Sequence, residues 1–557
     1  MRRPQGHGPL RAYTDELQMA HEADVVVVGS GAAGFSAALS ALREGAEVLL
    51  LEKAATLGGT TIKSSCWAWY PNHAGVRVDG HVDEKDDALR YMARLSQPET
   101  YDSASPTLGL PRWRHELLGA FYDHAAEAAE ALEAAGVHQV SLPDFPDYYS
   151  FLPENRTPRG RTLKPATPDG EPAGADEFIR QAAASVQRQG GRILTAHAVR
   201  AVLVSGDAVA GVVAEHDGDE VLVRARRGVV FASGGFAQNP ERRADHLAAP
   251  VLGTCAAPGN TGDLLDIAEA LGAPLRTMTH PWMTLMVLEQ ALSADPTVKS
   301  LFHPPGDSML FVNGDGDRTL NEKAPYNEMA QMLQRWDVRE ATYPDLFQFM
   351  VWDQACQDLH GSDRPASPIR PTGAPAPHVV SGATLAELAD RLAERVDALR
   401  DRVPRLRIAP GFAERLQRSV ARFNAGAREG RDPDFQRGET PIEQAFNALF
   451  AGGTRDERNP VLFPLDERGP FHATIIVPAA LDTKGGPQIN PRAEIVRFDG
   501  TPIRGLYGAG NCVASAAGKS YWAAGATIGP AVTFGYLAGA SAATAPVVGV
   551  DSAAVAA

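Results

Sequence analysis

The most regular hydrophobic pattern lies near the start of the chain. Four valines at 25–28 form one apolar run, and residues 48–51 form a second. Between them stand a glycine turn and an alanine-rich stretch with helical periodicity. The pattern predicts strand, turn, helix, strand. Apolar positions then recur at helical spacing near 82–96 and over 113–136, 174–189, 383–401 and 411–428. Residues 192–231 alternate apolar and polar, with turn signals at 205–207 and 217–219, which predicts a small antiparallel meander. Thr261 and Gly272 bracket a short helix as cap and stop. Residues 98–112 and 139–173 are rich in Pro, Asp and Tyr and read as long loops. Glycine turns return at the end of the chain, in GLYGAGN and in GATIGPA, the latter opening an apolar helix.

The first turn carries chemistry. Gly29, Gly31 and Gly34 fit G-x-G-x-x-G, and Glu52 closes the next strand about 20 residues on, the position from which a carboxylate takes ribose hydroxyls. The first glycine permits the tight turn. The second lets backbone N–H groups approach a pyrophosphate at a helix N-terminus, and the third lets helix and strand pack closely. A dinucleotide is therefore expected, with FAD and NAD both open at this level.

Composition sharpens this modestly. The 557 residues exceed one typical domain. A net charge of −15 argues against a nucleic-acid partner, which needs clustered Lys and Arg. Cys66, Cys255, Cys356 and Cys512 form no CxxC pair, so neither a metal site nor a disulfide framework is signalled, and a reducing cytoplasm is expected. No run is apolar enough to span a bilayer. The ends of the chain read as one domain with the middle inserted: a disordered arm at 1–21, a nucleotide-binding part at 22–279, a substrate-capping domain at 280–445, the rest of the nucleotide-binding domain at 446–545, and a disordered tail at 546–557. A continuous nucleotide domain followed by a separate C-terminal domain would leave the late glycine turn without a role.

Taken together, DVVVVGSGAAG, LLLEK, GGTT, GVVFASGGFAQNPE, GLYGAGN and GATIGPA resemble the FAD-dependent fumarate reductase and 3-ketosteroid dehydrogenase superfamily. NPVLFPLDERGPFHATIIVPAALDTKGG and GKSYWAAGATIGPAVTFGYLAG resemble its 3-oxosteroid 1-dehydrogenase branch. The resemblance implies an α/β fold: a split Rossmann-like FAD-binding domain with an inserted α+β substrate domain. It implies non-covalent FAD held by Gly29, Gly31, Ala33, Gly34, Glu52, Lys53, Gly59, Thr60, Thr61, Ser65, Val199, Ala232, Gly234, Gly510, Asn511, Ala526, Thr527 and Ile528. The last three would open a helix whose N-terminus faces the flavin pyrimidine edge and steadies its charge. Cys66 and His73 follow the flavin-approaching loop, but the usual attachment histidine is missing.

The branch oxidises a ring ketone to an enone. Tyr521 and the Gly525 N–H are implied donors to the ketone oxygen, and Tyr326, in NEKAPY, the implied base. A phenol near pKa ~10 must come down by about three units, ~4 kcal/mol, to act at neutrality. The family supplies part of this with a second tyrosine, here Tyr148 in preference to Tyr149. The substrate expected is an apolar ketone; the electron acceptor is not written in the sequence. Trp522 and Ala523 replace the family's Pro-Gly after the carbonyl-polarising tyrosine, and Trp522 is expected to narrow the pocket mouth or stack on substrate. Ser64, Ser65 and Cys66 replace a glycine-rich stretch. Two alternatives remain: a fumarate-reductase-like reductase of unsaturated acids or enones, against which stands LDTKGG where that group carries a histidine, and a flavin-binding accessory protein without turnover. His280 and His472 read as hydrogen-bonded fold residues.

Overall fold

The computed structural model describes residues 8–14, 16–293, 299–450 and 455–549. The chain forms two compact units: one from 1–248, 256–282 and 482–557, the other from 249–255 and 283–481.

In the first unit, parallel strands stack in the order Arg192–Leu194, Val48–Leu51, His21–Val28, Asp219–Phe231 and Pro502–Gly508. Their continuous apolar runs are buried, as expected of a parallel sheet covered on both faces. The strand Asp219–Phe231 does two jobs. Its first half pairs antiparallel with Ala208–His216, which pairs in turn with Ala198–Ser205. A register shift between Ala225 and Gly228 then lets its second half run between the first and the last strands of the nucleotide sheet. The expected meander is thus present and continuous with the main sheet.

The two ends of the chain meet along one helix pair. The helix Ala32–Arg43 packs on Ile528–Thr544 through small residues: a Cβ at Gly535 would overlap the Ala33 carbonyl, and one at Gly539 the Ala37 carbonyl. Ser36 and Ser40 donate Oγ–H across this seam to the carbonyls of Val532 and Tyr536, each at 2.7 Å. The split α/β domain read from the sequence is therefore real.

The second unit is built on a six-stranded sheet whose longest strand, Phe471–Asp482, pairs with Gln348–Asp353, Val380–Gly382, Gly253–Thr254 and Trp282–Val287. Helices Leu385–Ala398 and Phe412–Arg428 contribute Leu388, Leu392, Leu416 and Phe423 to its core.

Several expectations need correction. The second unit runs from Met283 to Leu481 and takes in 249–255, against the expected 280–445, because apolar strand character after 446 reads alike for either sheet. Leu10–Ala12, expected in a disordered arm, pairs in parallel with residues 202–204. Residues 1–7 of that arm and 550–557 of the tail lie outside the described residues. The loop 139–173 contains the strands Gln139–Ser141 and Thr162–Pro165, which join Ala68–Trp69 in a small sheet. The helix Asp263–Ala270 is entered through Gly262 at φ +84° rather than capped by Thr261. No helix among the described residues is long and apolar enough to cross a membrane.

Candidate active site

The three glycines of the first turn meet different surroundings. A Cβ at Gly29, where φ is +109°, would overlap the Ala232 carbonyl, and one at Gly34 would overlap Gly29 O. Those two positions are closed by the protein itself. At Gly31 a Cβ would meet only Thr61 Oγ1, at 3.3 Å, and at Gly59 nothing within 4 Å. The backbone around the start of the helix Ala32–Arg43 is therefore open where a ligand's phosphates would lie. Thr61 Oγ1 accepts from Ala32 N–H at 3.1 Å and joins the two loops.

Glu52 is buried and accepts from Ser30 N–H at 3.0 Å, Ser30 Oγ–H at 2.5 Å and Ala54 N–H at 2.8 Å. It braces the turn, and a carboxylate with about four lone-pair sites keeps capacity for a ribose hydroxyl. The Lys53 side chain makes its contacts within the fold. Its ammonium donates to Gly259 O at 3.0 Å, Thr261 Oγ1 at 3.0 Å and the Asp263 carboxylate at 2.9 Å. All three donors are used, so Lys53 ties its loop to the helix Asp263–Ala270. Ser65 is exposed, Val199 is buried in the meander, and Ala526 is buried with its N–H on Ala523 O at 3.0 Å.

Thr60, Gly234 and Asn511 converge on residues not singled out by the sequence. Asp482 is buried and accepts from Asn260 Nδ2 at 2.5 Å, Thr483 N–H at 2.8 Å, Asn511 Nδ2 at 3.1 Å and Gly235 N–H at 3.2 Å. Asn260 also donates to Thr60 Oγ1 at 3.1 Å, and Asn511 Oδ1 accepts from Trp282 Nε1 at 2.9 Å. Burial pushes the Asp482 carboxyl up to about 6, against which these hydrogen bonds pull. The only sequence hint was LDTKGG, noted for the histidine it lacks.

Gly510, Asn511 and Thr527 line a pocket together with Phe121, Trp282 and Trp522. The last helix starts at Ile528 without a side-chain cap, and the indole N–H of Trp522 is buried with no acceptor among the described residues. These open donors fit a cofactor rich in acceptors. Trp522 itself packs between Trp69 and Phe121, with ring centroids 5.5 and 5.9 Å away.

Tyr521 and Tyr148 are brought together: the rings stack with centroids 5.6 Å apart and planes 17° apart. Trp282 meets Tyr521 edge-on at 5.2 Å, and the buried Lys484 ammonium lies 4.1 Å from the Trp282 ring. Four residues on, Gly525 has φ +93°, and a Cβ there would come within 2.7 Å of the Ala68 backbone. Its carbonyl accepts from Trp69 and Gly529 N–H groups, while its own N–H has no acceptor among the described residues.

Tyr326 belongs to the second unit. It is buried at the start of the helix Tyr326–Met332, after Pro325, with Phe302 edge-on at 5.1 Å and Phe446 at 6.3 Å. Just before it, the buried Glu322 is held by Arg318 at 2.7 Å and by the buried Arg437 at 3.2 Å. Elsewhere in that unit Asp307, Cys356 and His360 lie close enough to gather round a metal ion, but Arg455 already occupies the Asp307 carboxylate.

A family model described as FAD binding domain matches residues 24–528. The chain belongs to that family. Its cofactor is FAD, and it is an oxidoreductase. Among relatives, a 4-oxocyclohexanecarboxylate 2-dehydrogenase of Sinomonas cyclohexanicum is 33% identical, over 93% of this chain and 92% of the relative. A 3-oxosteroid 1-dehydrogenase of Mycolicibacterium smegmatis is 29% identical, over 93% and 96%. The fold matches that of a 3-ketosteroid delta1-dehydrogenase from Sterolibacterium denitrificans, with a TM-score of 0.79 at 23% identity over 94% of this chain and all of that one.

Proposed function

We propose that this protein introduces a carbon–carbon double bond next to a ring ketone. The observation that carries the reading is the pairing of Tyr521, wedged between Tyr148 and Trp282, with Gly525, whose N–H lacks an acceptor among the described residues. Two such donors directed at one ketone oxygen stabilise the enolate that forms when the neighbouring carbon loses its proton. One preorganised donor of this kind is worth about 2.7–4 kcal/mol.

Tyr326 is assigned the base that removes that proton, and Tyr148 keeps the supporting role that the resemblance implies. FAD, when bound, supplies the acceptor for the hydride leaving the next carbon. Gly29, Gly31, Ala33, Gly34, Glu52, Gly59, Thr60 and Thr61 are assigned to the nucleotide side of FAD, and Gly510, Asn511, Thr527 and Ile528 to the flavin side, held without a covalent bond. Lys53 is left out, since its donors are spent within the fold.

The relatives' names span a steroid and a monocyclic oxo acid, and both describe dehydrogenation of a ring ketone. The substrate class proposed is accordingly a cyclic ketone, with a 3-oxosteroid or similar polycycle first. Turnover of 4-androstene-3,17-dione and of 4-oxocyclohexanecarboxylate with an artificial electron acceptor tests this. An enone product from either supports the reading. Turnover of neither, with fumarate reduced instead, would overturn it in favour of an acid reductase.

A further inference from the structure

Beneath the Tyr148–Tyr521 stack lies a fully buried ionic cluster. Arg161 has no solvent exposure. Its Nε and Nη2 donate to the two oxygens of Asp83 at 2.6 and 2.7 Å, and its Nη1 to Asp147 Oδ2. Asp147 is itself almost fully buried. Its other oxygen accepts from Trp69 Nε1 at 2.8 Å, and Oδ2 also accepts from Asn155 Nδ2 at 3.2 Å. The guanidinium lies over the rings of Trp69 and Tyr91, at 5.4 and 5.6 Å.

Asp147 is the residue before Tyr148. From Tyr148 the backbone N–H donates to Trp522 O at 3.2 Å, and the Tyr91 hydroxyl donates to the same carbonyl at 2.6 Å. Trp522 is the residue after Tyr521. The cluster thus includes the residue before Tyr148 and reaches the residue after Tyr521 through Tyr91 and Trp69, on whose rings the guanidinium lies. Packing alone does not require this. Two carboxylates around one arginine leave a net buried negative charge, and burial raises the Asp147 carboxyl above its ordinary value even beside Arg161.

We infer that the Asp83–Arg161–Asp147 cluster is a positioning device that sets Tyr148 against Tyr521 for the reaction. The inference rests on the catalytic reading of Tyr148 and Tyr521. Arg161 fixes the direction of the Asp147 side chain, because a planar fork held by both Asp83 oxygens leaves one arm in a single orientation. Asp147 fixes the first residue of the Tyr148 segment, and the Trp522 carbonyl fixes the second.

The test is a double-mutant cycle on the FAD-loaded full chain with Asp147→Asn, Tyr148→Phe and the pair. An amide at 147 can accept from Trp69 or Arg161 but not from both, which loosens the seat while keeping the volume. Melting temperature and flavin content of each variant report folding separately from catalysis. The expected result is a kcat loss of tenfold or more for Asp147→Asn, in the range that small misplacement of a catalytic group causes, with KM for the ketone nearly unchanged. The loss should vanish in the Tyr148→Phe background. Arg161→Lys keeps the charge without the fork and should behave like Asp147→Asn. An equal loss from Asp147→Asn with and without the Tyr148 hydroxyl would overturn the inference while leaving the role of Tyr148 intact. A Tyr148→Phe protein as fast as wild type would overturn that role and the inference with it.

Discussion

In the proposed reaction Tyr521 and Gly525 divide one task between a side chain and a backbone group. Removing the Tyr521 hydroxyl leaves the ring stack and the Gly525 N–H in place. Tyr521→Phe should therefore lower kcat/KM for the ketone by about 10²–10³-fold while the flavin spectrum stays that of wild type. Steady-state kinetics check this; an unchanged kcat/KM would remove Tyr521 from the chemistry. Asp482 makes a different kind of prediction. Its carboxyl rises from 3.8 to about 6 in the fold, so between those values the folded protein binds the proton more tightly than the unfolded chain. Stability then falls as pH rises through that window, by about 3 kcal/mol, and levels off above it. Urea unfolding of wild type and Asp482→Asn from pH 4 to pH 7 should show that fall in wild type only; parallel curves would contradict it. Glu52 and Lys53 mark the limits of reading at this scale. Adjacent in the sequence, both look like nucleotide ligands, yet Asp263 recruits the lysine from 210 residues away. No local pattern announces such a partner.

At the level of elements, the helix seam between Ala32–Arg43 and Ile528–Thr544 decides whether the two ends of the chain form one domain. A Gly539→Val side chain would drive into the Ala37 carbonyl. A loss of about 1–3 kcal/mol is expected from such overpacking, along with weaker FAD retention, read by thermal melting and gel filtration. Gly119→Ala is the control. It lies inside the helix Arg112–Ala134 with nothing within 4 Å of its Cβ and should stabilise by about 0.5–1 kcal/mol. If the two substitutions had the same effect, close packing at the seam would not be what matters. Long amphipathic helices were legible because one apolar face repeats over several turns. The short strands Gln139–Ser141 and Thr162–Pro165 were not, since three or four residues carry no periodicity and their pairing is set by distant partners.

For the whole molecule, the first glycine turn and the late GLYGAGN turn pointed correctly to one split nucleotide domain. They did so because parallel strands need continuous apolar runs and close helix packing needs small residues. The end of the second unit was misread because the strand Phe471–Asp482 is equally apolar in either sheet. The candidate site divides in the same way. Tyr521, Gly525 and Tyr148 could be named only through the family resemblance, whereas Asp482, Asn260, Arg161 and Asp83 are tied in by burial and long-range hydrogen bonds, which local sequence does not encode. The central claim is ring-ketone dehydrogenation with Tyr326 as base, and anaerobic mixing tests it most directly. Purified protein with bound FAD is mixed with 4-androstene-3,17-dione in the absence of oxygen and the flavin absorbance is followed. Wild type should bleach, and Tyr326→Phe, with the same FAD content, should bleach at least about 100-fold more slowly, the low end of what a general base contributes. Equal bleaching by both proteins would contradict the role of Tyr326. Bleaching by dithionite alone, reversed by fumarate, would contradict ring-ketone dehydrogenation itself.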